Sequence, residues 1–407
     1  MFGNNDKHSH AILNSMITIA QAQDLIKGNV LKTQNVKRVL LSDAVNSVLA
    51  ETQFAAINMP PFRQSAMDGY AICSNGANTY SLIGEVQAGD ADQPKLEKGQ
   101  AIRIFTGAPV PETADAVIMQ EKVLVSDDTI TLQMEIKPQL NIRPVGEQVK
   151  KGDAALREGA VLTPAAIGYL ASLGIAEVPV YQKPTIAIVT TGNELEEAGT
   201  PLKYGKIYES NAKMLASELY RQDYKNVSLH KVIDDYNKTK DTLEKLITEY
   251  DVVLVSGGIS VGDYDFVGKA LKEIGVEEIF YKIKQKPGKP LFFGKKKNKF
   301  VFALPGNPAS TLTCFYMYVY PSLRKIAGYE KYSLLQLQSK SLSHYINRGD
   351  RPVFLKGKLS EDGVEILEGQ SSAMLQTYAL ANALVYVPET VSEVHKRTTL
   401  TVYCLPN

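Results

Sequence analysis

The chain has no tryptophan, three cysteines and five histidines in 407 residues. The missing tryptophan bears on no function. Cys73, Cys314 and Cys404 are far apart and odd in number, so they form neither a metal-ligand spacing nor a disulfide framework. A reducing cytoplasm is the expected compartment. With so few histidines, no Ser–His–Asp arrangement is evident. No apolar run reaches the roughly 18 residues of a spanning helix. The opening MFGNNDKHSHAILNS lacks the apolar core of a signal peptide. An excess of one charge is missing too: 45 basic and 44 acidic residues give a formal net charge of +1. That balance argues against a nucleic-acid coat or a polybasic membrane anchor. What is present is an ordinary globular composition, 44% hydrophobic and 22% charged. The length suggests about two to four domains.

Residues 1–15 are polar and without pattern, and Met16 opens the amphipathic ITIAQAQDLI. Met1 and Met16 are both candidate initiators. Residues 16–50 read as helix, with Ile19, Ala22, Leu25 and Ile26 near helical spacing. From 58 to about 145 the texture changes to short β-like runs between Gly, Pro and Asp: YSLIGEV, AIRIFTG, DAVIMQEKV and TITLQMEI. Near 146–176 the chain predicts a helix capped by Thr163, with Pro164 at its first position and Gly174 at its end. Residues 184–327 alternate apolar β-branched strands with amphipathic helices, the pattern of a parallel, doubly wound sheet. After Gly328 strands dominate again, as in a small β-barrel or sandwich. The expected fold class is therefore multidomain α/β and β. A discontinuous helical or mixed domain takes 16–58 and 146–180, an inserted β-rich domain 59–145, a doubly wound α/β domain 181–328, and a C-terminal β-barrel 329–407. The KKKNK run at 295–299 reads as a solvated hairpin tip.

In a doubly wound sheet, ligands bind beyond the carboxyl ends of the strands. Four successive strand ends here carry Gly, acid or Asn: Glu194 after TIAIVTTGN, Asp234 after SLHKVI, Gly257, Gly258, Ser260 and Asp265 after DVVLVS, and Pro305 with Asn307 after KFVFAL. The Ser256-Gly257-Gly258 turn is suited to presenting backbone N–H groups to an anion. Asn307 also suits a helix N-cap, with Pro308 at the first helical position. Glu194, Asp234 and Asp265 read either as solvated loop acids or as Mg²⁺ ligands against a diphosphate. Nearby, KIKQKPGKP sets Lys282, Lys284, Lys286 and Lys289 close together, and strand alternation puts the first three on one face. Lysines and acids at one sheet edge suit an oxyanion beside a metal–phosphate pair. In PPFRQSAMDGYA at 60–71, a lone carboxylate, Asp68, sits among small and apolar residues. By itself the Asp-Gly pair reads equally as a turn or as a site acid.

Several strings, read together, resemble one family. PPFRQSAMDGYA, RIFTGAPVP followed by ADAVIMQE, TTGNEL, GKIYESN, SGGISVGDYDFV, KIKQKPGKPLFFG and LPGNPAS are similar to the molybdopterin molybdenumtransferases, and equally to the gephyrin C-terminal domain and its plant counterpart. The resemblance runs in the family's order over about 16–407. It implies four domains, one of them a MogA-like α/β domain, in an elongated homodimer. It also implies that adenylylated molybdopterin and molybdate give molybdenum cofactor and AMP, with Mg²⁺ as cofactor. Carried over residue by residue, the implied site is Asp68 and Thr106 in the β module, and Glu194, Asp234, Asp265, Lys282 and Lys286 in the α/β domain. Arg351 in GDRPVFLKG and Ser372 in GQSSAML complete it, and Lys356 stands where a second arginine is common. Molybdopterin adenylyltransferase and apo-molybdoenzymes are the implied protein partners, with neither nucleic acid nor membrane. Asp68 is expected to act across the dimer interface, with Gly69 permitting a tight turn. Two rival readings keep the same sheet edge: a molybdopterin adenylyltransferase-like enzyme and a non-catalytic molybdopterin-binding scaffold. Molybdate and tungstate are too nearly isosteric for the sequence to separate.

Overall fold

The computed structural model describes residues 16–91, 94–259 and 266–406. They fall into two units, one of 37–180 and one of 16–36 together with 181–406. In the second unit, apolar β-branched runs form a six-stranded sheet. Its strands are β1 (Ile186–Thr191), β2 (Val227–Val232), β3 (Val252–Ser256), β4 (Glu277–Lys282), β5 (Pro290–Lys296) and β6 (Lys299–Leu304), in the order β2-β1-β3-β6-β5-β4. β2, β1, β3 and β6 are parallel neighbours. β5 runs antiparallel to both β4 and β6, which corrects the all-parallel expectation at one strand. Only Lys297 and Asn298 separate β5 from β6, and a parallel crossover needs a dozen residues or so.

Alternation along the strands feeds two cores. Ile186, Ile188, Val252, Leu254, Phe300 and Phe302 face one side. Ala187, Val189, Val253, Val255, Val301 and Ala303 face the other. The first face is covered by helices α1 (Ile19–Asn29), α2 (Asn211–Arg221) and α5 (Pro308–Cys314). The second is covered by α3 (Tyr236–Glu249) and α4 (Phe266–Glu273). The sheet is thus doubly wound.

α1 opens with a capping box: Thr18 Oγ1 accepts from the Gln21 N–H at 3.2 Å, and Gln21 Oε1 accepts from the Thr18 N–H at 2.9 Å. It ends at Asn29, and Val36–Leu40 is a strand, so the helix expected over 16–50 is far shorter. Gly28 and Asn29 weaken helix propagation, and the β-branched Val36 and Val39 favour extension. α5 passes through a π turn at Phe315–Val319 into Tyr320–Ile326. Pro321 lacks the N–H that would continue the α ladder.

The lysines of the β5–β6 hairpin are not merely solvated. Lys295 Nζ donates to Asn29 Oδ1 and Lys296 Nζ to the Ile274 carbonyl, each at 2.6 Å. Lys299 Nζ donates to Asp251 Oδ1 at 2.8 Å. The hairpin expectation holds; the solvation does not.

Residues 329–406 add an antiparallel sheet of β7 (Gln336–Lys340), β8 (Val353–Leu359), β9 (Val364–Ile366), β10 (Ala383–Val387) and β11 (Thr399–Cys404), in the order β7-β11-β10-β8-β9. β8 is buried on both faces. Val353 and Leu355 enter this sheet's own core, while Phe354 enters the α/β core.

The unit 37–180 holds a six-stranded sheet over two cores. The β-like runs expected there are strands, including Thr79–Val86, Gln100–Ile104, Ala116–Met119 and Thr129–Leu132. Helix Pro164–Ser172 starts as expected, with Thr163 Oγ1 accepting from the Ala166 N–H at 3.2 Å.

At the amino ends of β1, β3 and β6, one carboxylate ties three segments together. Asp251 Oδ2 accepts from the Thr185 N–H and hydroxyl, both at 2.9 Å, and Oδ1 accepts from Lys299. Burial pushes the Asp251 carboxyl up, but the Lys299 and Thr185 contacts outweigh it and leave it below the ordinary value. The stabilisation is therefore present above the unfolded carboxylate pKa and lost as pH falls through the lower folded value. Asp251→Ala is expected to cost about 1–3 kcal/mol at neutral pH. Its denaturation midpoint should fall less steeply than that of the wild type as the pH is lowered below ~4. Equal urea midpoints at neutral pH would show that the tie contributes nothing.

Candidate functional site

The strand order reverses between β1 and β3, and ligand crevices in α/β sheets form at such points. There the structure has a cleft of about 1040 Å³. Thr190 and Thr191 at the end of β1 and Glu194 beyond it line the cleft, with Ser256 ending β3 and Gly257 after it, and Pro305, Gly306 and Asn307 after β6. Lys286, Lys289 and Arg351 bring positive charge, and Ser371 and Ser372 close one wall. Residues separated by more than 150 positions thus meet in one cleft.

Of the four clustered lysines, two line the cleft and two do not. Lys282 lies over the Tyr281 ring, and Lys284 pairs with Glu389 at 2.9 Å. β4 ends at Lys282, and the Gln285 N–H turns back to the Ile283 carbonyl at 2.9 Å, so strand alternation does not carry three lysines to one wall. Lys286 is placed by its backbone: its N–H donates to the Pro352 carbonyl at 2.9 Å, and its carbonyl accepts from the Phe354 N–H at 2.8 Å. Arg351 Nη1 donates to the Gln285 carbonyl at 3.1 Å, which aims the guanidinium.

The acids divide in the same way. Glu194 lines the cleft. Asp234 is not in its wall but braces the loop before Glu194: the Asn193 N–H donates to Asp234 Oδ2 at 3.0 Å, and the Asp234 N–H donates to Asn193 Oδ1 at 3.1 Å. Asp265 and Ser260 lie outside the described residues. As a donor set, the Glu194 and Asp234 carboxylates are hard oxygen ligands of the kind Mg²⁺ takes.

The Gly-rich turn works differently from expectation. The Gly257 N–H donates to the Leu304 carbonyl at 3.3 Å, so it is committed within the fold. Both glycines have positive φ, and a Cβ on Gly257 would lie 2.7 Å from the Thr191 carbonyl oxygen, one on Gly258 2.8 Å from Thr191 Oγ1. They are needed for this close approach, and Gly258 does not reach the cleft wall.

Asn307 occupies the N-cap position of α5, with Pro308 at N1. Its side chain does not cap; Nδ2 donates instead to Ser372 Oγ at 3.1 Å. The Ser372 carbonyl accepts from the Ala309 N–H at 3.1 Å in the cap's place.

Asn211 was not singled out from the sequence, and Lys356 entered there only as the residue standing where the resemblance expects a second arginine. Asn211, within GKIYESN, donates to Ser256 Oγ and to the Gly306 carbonyl, both at 2.8 Å. Its buried Oδ1 has no partner among the described residues. The signal for it was the Asn placed at the start of an amphipathic helix. Lys356, only 3% exposed, donates to the carbonyls of Gly369, Ser371 and Met374 at 2.8, 3.1 and 3.2 Å. Burial pulls its ammonium below the ordinary lysine value. It holds the loop that carries Ser371 and Ser372.

Asp68 and Thr106 belong to the unit 37–180, where the fold brings them together. Asp68 Oδ1 accepts from the Thr106 N–H and hydroxyl, both at 2.7 Å. These bonds, aided by Arg103, hold the carboxyl below its ordinary value. Gly69 is not in a turn: it begins the strand Gly69–Ile72. A Cβ there would lie 1.9 Å from the Ile118 carbonyl oxygen, so strand packing, not φ, requires glycine.

Comparison with known proteins agrees over nearly the whole chain. Residues 17–174 match the family model of the MoeA N-terminal region (domain I and II), and 187–325 match that of a probable molybdopterin binding domain. A molybdopterin molybdenumtransferase of Haemophilus influenzae is 34% identical, over 95% of this chain and 98% of its own length. One from Staphylococcus epidermidis is 32% identical, over 91% of each. The crystal structure of a molybdopterin biosynthesis moeA protein from Pyrococcus horikoshii superposes with a TM-score of 0.82 at 30% identity, covering 96% of this chain and all of that one.

Replacing Lys356 by Met keeps the volume and removes three donors from buried carbonyls. The variant is expected to lose about 1–3 kcal/mol, and amides of residues 369–374 should exchange with deuterium faster than in the wild type. Unchanged exchange there would mean that the loop does not depend on Lys356.

Proposed function

Because the chain belongs to the molybdopterin molybdenumtransferase family, we propose that it inserts molybdate into adenylylated molybdopterin, releasing AMP and forming molybdenum cofactor. The observation that carries this reading is the convergence of Lys286, Lys289 and Arg351 with Glu194 in one cleft. Molybdate is a small dianion and the adenylylated substrate carries a phosphoanhydride. Both call for charge-assisted donors, which bind about twice as strongly as neutral ones. Arg351, oriented by the Gln285 carbonyl, presents its remaining N–H groups to the anions. Asn307 and Ser372 add side-chain dipoles at the amino end of α5. When the phosphorus–oxygen bond to AMP breaks, negative charge grows on the departing oxygen. Cations already held by the fold meet that charge without reorganising. Glu194 and Asp234 would hold Mg²⁺, which neutralises phosphate charge when bound.

The finer reading has four parts. Asp68 and Thr106 act on the partner subunit's cleft in a homodimer. Asp265, Ser260 and Lys282 remain proposed site residues by resemblance. The domains follow the boundaries 16–58 with 146–180, 59–145, 181–328 and 329–407. The last is a barrel whose closure is supported by the Ser341–Val364 bridge beside β7 and β9. The proposed setting is the cytoplasm, with the adenylyltransferase and apo-molybdoenzymes as partners.

The direct test supplies purified protein with adenylylated molybdopterin and molybdate, then follows AMP release and activation of an apo-molybdoenzyme. Both should occur, and excess chelator should stop AMP release. AMP transfer onto molybdopterin from ATP without molybdate would instead identify an adenylyltransferase.

Lys286→Ala should bind the adenylylated substrate about 1.5–3 kcal/mol more weakly by calorimetry, while unfolding like the wild type. Lys286→Ala and Asp68→Ala homodimers should each be nearly inactive. Co-expression places both lesions in one site of a mixed dimer and neither in the other, so activity should return to roughly a quarter of wild type. Verified mixed dimers with no recovery would rule out action across the interface.

A further inference from the structure

Three histidines are among the described residues, and two of them, His344 and His395, share one face of the C-terminal domain. Their meeting follows from register. Tyr345 pairs with Val394 and Ile346 with Glu393 in a short antiparallel ladder, and one further step sets His344 opposite His395. Glu393 and His395 are two positions apart on their strand, so they project from the same face, and His344 joins them as a cross-strand neighbour. The contacts agree with this geometry. His344 Nε2 lies 2.6 Å from Glu393 Oε1, and His395 Nδ1 lies 3.7 Å from the same oxygen. The imidazole rings stack at 5.8 Å between centroids, tilted by 28°. One ligand atom from each of the three side chains lies within 4.8 Å of the others.

We propose that His344, Glu393 and His395 form a surface site for a divalent first-row transition metal ion, for which Zn²⁺ is the probe. Two imidazoles and one carboxylate make a three-ligand set that leaves a coordination position for water. Zn²⁺ takes such atoms at about 2.0–2.2 Å, so its ligands stand ~3–3.5 Å apart, and small side-chain rotations close the present triangle to that size. Both imidazoles already converge on one carboxylate oxygen, and the ion takes the place of the hydrogen bond between His344 Nε2 and Glu393 Oε1. Imidazole nitrogen favours Zn²⁺ and its neighbours over Mg²⁺. None of the three residues lines the anion cleft, so this site is separate from the proposed reaction. Metal there staples the strand carrying His344 to the strand carrying Glu393 and His395.

The test uses the full chain, ¹⁵N-labelled at histidine, in buffer saturated with Mg²⁺. His8 and His10 bracket Ser9 in the opening residues and offer zinc a competing place, so the titration is run in a His8→Asn, His10→Asn background. Added Zn²⁺ should shift the His344 and His395 ring signals together, saturating at one equivalent, and leave His230 in place. His344→Asn, His395→Asn or Glu393→Gln should each weaken uptake about tenfold or more. Zinc should raise the thermal midpoint of the background protein but not of these variants. The proposal fails if the two ring signals stay unmoved, if they move at different zinc concentrations, or if the variants bind zinc as tightly as the background.

Discussion

The side chain of Gln285 is wholly buried, and much of the cleft depends on how it is satisfied. An amide left without partners in the interior costs about 1–3 kcal/mol per missing bond. Gln285 Nε2 donates to the carbonyls of Pro287 and Gly288 at 3.0 and 3.3 Å, and Oε1 accepts from the Tyr318 hydroxyl. These contacts curl the chain around its own amide and pin it to the π-helical turn. The curl sets Lys286 and Lys289 at the cleft, and the Gln285 backbone carbonyl anchors Arg351. The backbone of Lys286 is paired on both sides with β8. One neutral side chain therefore couples the β4–β5 connection, the long helix and the C-terminal sheet, and positions three cations without being charged itself.

The rest of the cleft shows the same division between holding and acting. Lys356 is the charged group that stays inside: it spends its donors on three backbone carbonyls and leaves the hydroxyls of Ser371 and Ser372 at the wall. Asp234 braces the loop before Glu194. Gly257 and Gly258 let β3 end against Thr191. The groups left at the cavity wall are three cations, two carboxylates, Glu194 and Glu209, and several neutral donors.

Much of this was legible from residues alone. Alternating β-branched strands and amphipathic helices announced the doubly wound sheet, and the strand-end rule directed attention to Glu194, Gly257, Pro305 and Asn307, all of which line the cleft. The errors have common causes. The helix expected over 16–50 rested on periodicity that continues past a weak stop at Gly28 and Asn29. The solvated KKKNK tip ignored the reach of lysine side chains, which find carbonyls and carboxylates on neighbouring elements. The Asp68-Gly69 turn was inferred from pair preference, whereas the glycine answers a backbone contact with Ile118.

Sequence by itself determined most elements of the α/β domain, the two-faced packing of its sheet and the identity of the charged residues, because periodicity and strand-end chemistry are local properties. It did not determine which charges face the cleft. Lys282, Lys284, Lys286 and Lys289 are chemically alike and adjacent, yet a turn at Gln285 and an acid at Glu389 send them to different places. The partners that sort them lie tens of residues away or more: Tyr318, Pro352, Phe354 and Glu389. Hydrogen-bond satisfaction in a buried interior is a long-range condition, and only the tertiary structure states it.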